Sequence, residues 1–118
     1  MGRAYRVSVE EGDRIRAGLA MQLVALPTGV AAETMMSPER LALRPTRARW
    51  LAMYLAHIAF GWPLERVGHA FGVNRNTVSN GCRWAEDARD NPQIDALLDQ
   101  LETMVRELCE TPRPDLAA

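Results

Sequence analysis

Four polar residues in one short segment could read the edges of DNA bases. Arg75 and Asn76 are followed four residues later by Ser79 and Asn80, so on a helix they would lie in the first two turns, where side chains of such helices reach bases. Arginine can pair with guanine and asparagine with adenine, and a good bidentate pair contributes roughly 1 to 3 kcal/mol of discrimination. Two or three such contacts would suffice for a sequence-specific binder.

A second set of residues has the chemistry of phosphate contacts, which hold a protein in register on the duplex. Thr77 and Arg83 lie within the same predicted helix as the base readers. Arg44, Arg47 and Arg49 cluster around the start of the preceding long helix, where they could follow the DNA backbone or enter the minor groove. The alternative is a solvated helix start, but positive charge there opposes the helix dipole, so stability alone gives little reason for it.

The base readers belong to a predicted pair of short helices joined by a tight turn, over residues 64–84. In the first helix Leu64, Val67 and Phe71 recur at the spacing of a buried stripe. Gly68 permits a close helix crossing, and Gly72 ends the helix and turns the chain. The sequence further predicts that Val73 fills the corner, that Asn74 caps the second helix, and that Val78 is its apolar anchor.

Charge is strongly segregated along the 118 residues, although the net charge is only -1. Residues 44–85 contain six arginines and one acid, whereas residues 86–118 contain nine acids and three arginines. A basic middle and an acidic end suit a protein that holds phosphate with one surface and keeps another away from it. The alternative is a solvated mosaic of charges.

Composition excludes several classes of protein. The length suits one domain, and the abundance of helix punctuation without alternating β-branched runs predicts an all-α fold. The chain has no lysine, which a phosphate-binding P-loop requires. It has no pair of catalytic carboxylates, no nucleophile with a base and no metal-ligand cluster, so we expect neither an enzyme nor a cofactor. Cys82 and Cys109 are expected to be buried free thiols. Without an apolar leader or span, a cytoplasmic protein is predicted.

A first helix is predicted before the basic segment, within an N-terminal helical segment of residues 1–43 that packs on the core. Ser8 and Glu11 have the spacing of a capping box, and the helix should end at residues 27–29, Pro-Thr-Gly. Its core stripe is predicted to be Ile15, Leu19, Leu23 and Leu26.

A short helical piece is predicted next, with Ser37 as its cap and Pro38 in its first turn. The adjacent Met35 and Met36 could form a partner surface, but filling a gap in the core is the commoner role of methionine.

The long helix after it should open at residues 45–46, Pro-Thr, and end at Gly61. We expect Trp50 and Tyr54 to pack within the protein rather than stack on nucleic acid. The core stripe of this helix is predicted to be Leu51, Leu55 and Ile58.

A last helix, over residues 91–110, should be capped at Asn91–Pro92, and residues 111–118 should be a flexible tail. The broad apolar stripe of this helix could close the core or form an interface with a partner. The outer face of the helix is acidic. The apolar stripe comprises Ile94, Leu97, Leu98, Leu101, Met104, Val105 and Leu108.

The order of residues over 44–85 resembles the C-terminal DNA-binding domain of the bacterial replication initiator DnaA, domain IV, a Trp-repressor-like helix-turn-helix. That family has a basic loop, an RxxAMYLA-type helix, a helix ending in FG and a recognition helix. The resemblance implies DNA-contact roles for Arg47, Thr77 and Arg83, within a DNA-binding region of residues 44–90. The matching residues are Arg47, Ala52, Met53, Tyr54, Leu55, Ala56, Leu64, Val67, Gly68, Phe71, Gly72, Thr77, Val78, Cys82 and Arg83.

The departures from that family concern the residues that read bases. The initiator has an Arg-Asp-His-Thr run between FG and TV, whereas this chain has 73–76, Val-Asn-Arg-Asn, and is one residue shorter. Arg75 and Asn76 thus imply a different target sequence. The nucleotide-binding domain of the initiator is also absent, so the resemblance is to a stand-alone regulator of alphaproteobacterial type, such as the activators of gene transfer agent clusters.

The sequence therefore predicts a cytoplasmic regulator of transcription that binds double-stranded DNA, associates with the nucleoid, and inserts residues 75–83 into the major groove. The C-terminal helix would face a second copy, RNA polymerase or a co-activator, and no membrane is expected as a partner. The alternatives are a replication accessory at the origin and a protein-interaction adaptor that uses the acidic C-terminal helix.

Overall fold

The computed structural model describes residues 9–37, 39 and 42–117. These residues form helices and no strand, which confirms the predicted all-α class. In chain order the helices are α1 (Glu11–Thr28), α2 (Ala32–Met35), α3 (Leu43–Phe60), α4 (Leu64–Phe71), α5 (Arg75–Ala88) and α6 (Pro92–Glu110).

Helix α3 is the centre of the domain. Each of the other five helices packs against it, and Ala52, Met53, Leu55 and Ala56 are fully buried. Consecutive buried residues point in different directions around a helix, so the middle of α3 is enclosed rather than covered on one face. The predicted stripe is confirmed for Leu51 and Leu55, while the buried surface is much wider than that stripe.

Three helices end as the sequence predicts. Gly29, Gly61 and Gly72 follow α1, α3 and α4 with φ angles of 71°, 68° and 72°, the left-handed conformation that glycine adopts without steric cost. Helix α3 begins at Leu43, two residues before the predicted start at Pro45. Proline is compatible with a first helical turn because the N–H that it lacks would have no partner within the helix.

The predicted core stripe of α1 is wrong for Ile15 and Leu26, whereas the half-buried Leu23 packs against the core as predicted. The residues that α1 buries are Ala17, Ala20, Met21 and Val24, together with Asp13. Ile15 and Leu26, by contrast, are 66% and 82% exposed. The enclosed side of α1 thus combines alanines with Met21 and Val24, and Ile15 and Leu26 lie on the opposite side of the helix. Ser8, the predicted cap, lies outside the described residues, and Glu10 occupies the N-cap position.

The predicted short helix after Ser37 falls largely on residues outside the described part of the chain, Pro38 among them. A helical turn, α2, lies just before it and ends at Met35. The Ser37 hydroxyl oxygen accepts a hydrogen bond from the backbone N–H of Glu39 at 3.2 Å. Met35 is 1% exposed and fills the core, whereas Met36 is 65% exposed.

Helix α6 closes the core with one face only. Asn91 caps it, as predicted, by accepting a hydrogen bond from the N–H of Gln93 at 2.9 Å. Leu98, Leu101 and Val105 are buried, but Met104 and Leu108 are exposed. The helix therefore closes the core, as one of the two interpretations has it, and another part of its surface is exposed.

The two cysteines differ in environment. Cys82 is buried on α5, and burial raises the pKa of its thiol to about 11. Cys109 is exposed near the end of α6, so the prediction of a buried thiol is wrong there. In the part of the chain that the structure describes, nothing covers the thiol at this end of α6.

An ion pair joins α1 to α4. Asp13 accepts two hydrogen bonds from Arg66, at 2.8 Å from Nη2 and 2.9 Å from Nε. The Arg66 guanidinium also lies 4.8 Å from the centre of the Trp62 ring. Hydrogen bonding to Arg66 lowers the pKa of Asp13 below its ordinary value of 3.8, because the charged carboxylate is the form that Arg66 stabilises.

We expect Asp13→Asn to lower the free energy of unfolding at neutral pH by about 1 kcal/mol, a modest value because the Arg66 side chain is 46% exposed. The ion pair contributes its full stabilisation above pH 3.8, the pKa of Asp13 in the unfolded chain. This stabilisation is lost as the pH falls through the lower pKa that Asp13 has in the folded protein. Urea unfolding from pH 7 to pH 2 should show the two proteins converging in acid. Glu11→Gln removes a charge from the same turn and should not reproduce this effect; if it does, the ion pair is not the cause.

Helices α3 and α5 approach each other closely at Gly81. A Cβ atom there would lie 2.7 Å from Cδ1 and 2.8 Å from Cγ of Trp50, and 3.0 Å from Cε of Met53. No real side chain tolerates such distances without movement of the indole or of the helix. The absence of a side chain at residue 81 therefore sets the distance between the two helices.

Gly81→Ala should lower the free energy of unfolding by about 1 to 2 kcal/mol, because overpacking against Trp50 exceeds the gain in helix propensity. Gly18→Ala is the matched control: Gly18 is also inside a helix, but a Cβ atom there would meet nothing within 4 Å. The control should gain about 0.5 to 1 kcal/mol. Chemical denaturation of both variants checks the prediction, which an increase in stability for Gly81→Ala would contradict.

Candidate nucleic-acid interface

Helices α4 and α5 form the predicted pair, joined by residues 72–74. The Val73 N–H donates to the Gly68 carbonyl at 2.9 Å, and a Cβ atom on Gly68 would lie 2.7 Å from the Val73 carbonyl oxygen. Gly68 thus permits a close approach, as predicted, but the nearest group is the backbone of the turn. Val78 is fully buried and packs against the core, so it anchors α5 as expected.

Asn74 begins α5 as the predicted N-cap. Its side-chain oxygen accepts a hydrogen bond from the Thr77 N–H at 2.8 Å, which satisfies one of the free donors of the first turn. The backbone of Asn74 is extended, with φ of -80° and ψ of 164°. The cap therefore determines where the helix starts and which side chains occupy its first turn.

The four predicted base readers share one face of α5. Arg75, Asn76 and Asn80 are exposed and Ser79 is half-buried, and the side of the helix formed by Val78, Gly81, Cys82 and Ala85 is buried. Arg83 continues the same exposed face one turn later, because it lies four residues after Ser79. The fold thus brings together five of the nine predicted contact residues on one outward surface.

The three arginines at the start of α3 have three different environments. The Arg44 guanidinium donates to the Thr28 carbonyl at the end of α1, so this side chain also ties two helices together. The Arg47 guanidinium lies 5.1 Å from the centre of the Trp84 ring. Arg49 is half-buried, and its Nε atom is buried without a hydrogen-bond acceptor among the described residues.

An open groove of about 760 Å3 lies between the start of α3 and the turn of the helix pair. It brings Arg49 and Thr77, two predicted phosphate contacts, to the same concave surface. Glu39 contributes an acid at its rim. The groove is lined by Met36, Ser37, Glu39, Leu43, Thr46, Arg49, Phe71, Gly72, Val73 and Thr77.

The sequence interpretation overlooked Trp84. This residue on α5 packs on Trp50 of α3, with ring centres 5.9 Å apart, and Arg47 covers it. A guanidinium over an indole is attracted by the electron-rich ring face and loses part of its freedom. The sequence does show a tryptophan beside Arg83, but only the crossing of α3 and α5 brings it under Arg47.

Trp50 and Tyr54 pack within the protein, as predicted. Tyr54 is 4% exposed, and its hydroxyl donates to Glu86 Oε2 at 2.5 Å and accepts from Arg89 Nε at 2.9 Å. Burial, and next the hydrogen bond to Glu86, raise the pKa of Tyr54. Trp50 is half-buried against Gly81. Neither ring is available for stacking on a base.

The negative charge after residue 85 is partly neutralised within the protein. Arg89 contacts Asp95 at 2.6 Å and Asp99 at 3.2 Å, and Arg106 contacts Glu102 at 2.6 Å. The acids therefore lie near the end of α5 and along α6, away from the first two turns of α5. The exposed arginines and asparagines occupy the opposite end of α5.

Among the described residues, no group of three or more histidine, cysteine, aspartate or glutamate side chains could hold a metal ion. None of the helices described is both long enough and apolar enough to cross a membrane. Comparison of the chain with protein-family models, with curated protein sequences and with solved structures finds no match. The fold and the site define an all-helical protein that presents a capped polar helix beside exposed arginines.

We expect Asn74→Ala to lower the free energy of unfolding by about 1 kcal/mol, because the Thr77 N–H loses its acceptor. Asn76→Ala, in the exposed first turn of the same helix, is the matched control and should leave the stability unchanged or slightly higher. Urea denaturation followed by circular dichroism measures both. Equal losses in the two variants would rule out the cap as the cause.

Proposed function

We propose that this chain is a sequence-specific double-stranded DNA-binding protein that regulates transcription, with α5 in the major groove. The observation that carries the proposal is the exposed face of α5, where Arg75, Asn76 and Asn80 project from the capped end of a helix whose opposite side is buried. The major groove is about 12 Å wide and admits one helix. Arginine and asparagine in the first two turns are suited to guanine and adenine edges.

The surroundings of α5 support contacts to phosphate. Arg47 is held over Trp84 at 5.1 Å, which reduces the conformational freedom that it would lose on binding. Arg49 lines the open groove beside Thr77, where its guanidinium could contact a phosphate oxygen. Arg44 keeps an exposed side chain although it binds the Thr28 carbonyl. Such contacts position the protein on DNA but do not select a sequence.

The resemblance to the DnaA domain supports the same arrangement, because its matched positions include Arg47, Thr77 and Arg83. We infer that the mode of docking is shared and that the target sequence is not, since Arg75 and Asn76 replace the residues with which the initiator reads its origin box. A regulator of this type would act on promoters and associate with the nucleoid in the cytoplasm.

The proposal is tested by selecting the bound fraction from a random double-stranded DNA library and from genomic fragments. A specific regulator should enrich one consensus sequence that maps to promoters, and transcription from such a promoter should change when the purified protein is added. Enrichment at the replication origin instead would favour a replication accessory. Equal retention of all sequences at moderate salt would contradict specific recognition, and no retention of any DNA would favour an adaptor.

Two classes of variant should behave differently on the selected site. Arg75→Ala with Asn76→Ala should weaken binding to that site by roughly 1 to 3 kcal/mol for each bidentate pair lost, with a much smaller effect on random DNA. Arg47→Ala should weaken binding to the selected site and to random DNA alike. It should also make the fall of affinity with salt concentration less steep, by the amount that corresponds to about one phosphate contact.

Fluorescence anisotropy at several salt concentrations separates the two effects. Arg14→Ala is the control, because Arg14 is an exposed arginine on α1, outside the proposed interface. If the Arg75 and Asn76 variant loses affinity equally for both DNAs, these residues do not read bases.

A further inference from the structure

The described residues leave an apolar surface uncovered where the start of α1 meets the end of α6. Ile15 is 66% exposed, Leu108 is 54% exposed and Met104 is 38% exposed. With the half-buried Leu19, these side chains line or adjoin a groove of about 200 Å3 between the two helices. We call the surface formed by Ile15, Leu19, Met104 and Leu108 the α1–α6 face. Clustered large apolar side chains on a small domain are typical of an interaction site.

Charges of opposite sign flank the α1–α6 face. Arg16 and Arg113 line the groove, and the exposed Glu107 and Glu110 lie on α6 beside Leu108. None of these four side chains forms an ion pair within the part of the chain that the structure describes. The ion pairs that do form use other residues, so both signs of charge remain available to a partner.

A second copy of this chain would offer the α1–α6 face both an apolar surface and charges of the opposite sign. In a twofold contact each copy presents the same surface, so the basic groove of one copy meets the acidic side of α6 of the other, and the reverse contact forms as well. Apolar side chains are then buried in the centre with charges at the rim, which is the usual anatomy of an interface. We propose that the α1–α6 face is the contact surface of a homodimer.

This contact leaves the proposed DNA interface free. Arg106 of α6 donates to the Ile58 carbonyl near the end of α3, whereas Arg44, Arg47 and Arg49 lie at its start. An 18-residue helix is about 27 Å long, so the two surfaces are well separated along α3. The dimer does not depend on the proposed function: Arg75→Ala with Asn76→Ala should dimerise like the unaltered chain, whether or not DNA binding is confirmed.

Sedimentation equilibrium over a range of concentrations tests the proposal. The unaltered chain should show a concentration-dependent dimer, and Ile15→Glu with Leu108→Glu should raise the dissociation constant roughly thirtyfold or more, because charges replace central apolar contacts. Both residues are more than half exposed, so circular dichroism should show an unchanged fold. Leu43→Glu is the matched control, because Leu43 is 63% exposed and lies at the start of α3, away from the α1–α6 face. This variant should dimerise normally.

Charge reversal tests whether the partner is a second copy in this arrangement. One variant carries Arg16→Glu and Arg113→Glu, and the other carries Glu107→Arg and Glu110→Arg. Each alone should dimerise poorly because like charges meet at both ends of the twofold contact, whereas their mixture should form a heterodimer in which every pair is again opposite in sign. A chain that stays monomeric at about 100 μM, a control that fails like the Ile15 and Leu108 variant, or a mixture that does not associate would each overturn the proposal.

Discussion

The arrangement of the domain depends on the contact between Gly81 and Trp50. A Cβ atom at residue 81 would come within 2.7 Å of the Trp50 indole, so helix α5 can lie this close to the central helix α3 because residue 81 is a glycine. This close crossing buries Val78 and Ala85 and turns the opposite, polar face of α5 outward. It also brings Trp84 of α5 beside Trp50 and under Arg47, so one missing side chain determines both where α5 lies and how an adjacent arginine is held.

The far end of α5 is fixed by a polar network instead. Tyr54 of α3 joins Glu86 and Arg89, and Arg89 continues to Asp95 on α6. Each charged group in this network has an opposite charge or a hydrogen-bond partner, which compensates for its partial burial. The start of α5 thus carries free polar side chains, while its end is occupied with holding three helices together.

Local signals predicted much of this fold. The ends of α1, α3 and α4 follow from glycine, and the starts of α5 and α6 follow from asparagine caps, because backbone conformation and capping act within a few residues. The outward position of Arg75, Asn76 and Asn80 follows from helical spacing around Val78. The anchoring of α5 by Val78 follows from the same spacing. The burial of Tyr54 was predicted because large aromatic side chains usually pack within a protein.

Spacing alone could not decide which apolar face of a helix turns inward. Both sides of α1 carry apolar residues: Ala17, Ala20, Met21 and Val24 lie on one side, and Ile15 and Leu26 lie on the other. The first side is the buried one because it fits the neighbouring helices, and spacing along the sequence does not show that fit. Arg44 presents the same difficulty. The composition around it indicates a phosphate contact, whereas the fold places the Thr28 carbonyl within reach.

The sequence by itself determined the helical class, the caps and turns, and the polar face of α5, since all of these depend on neighbours within a few positions. Tertiary structure alone decided that Trp84 lies under Arg47. It also decided that, among the described residues, Arg49 Nε lacks an acceptor and Ile15 and Leu108 are left exposed. Each of these facts depends on how distant helices cross. That crossing is set by side-chain volume at a few contact points such as Gly81, which no local pattern records.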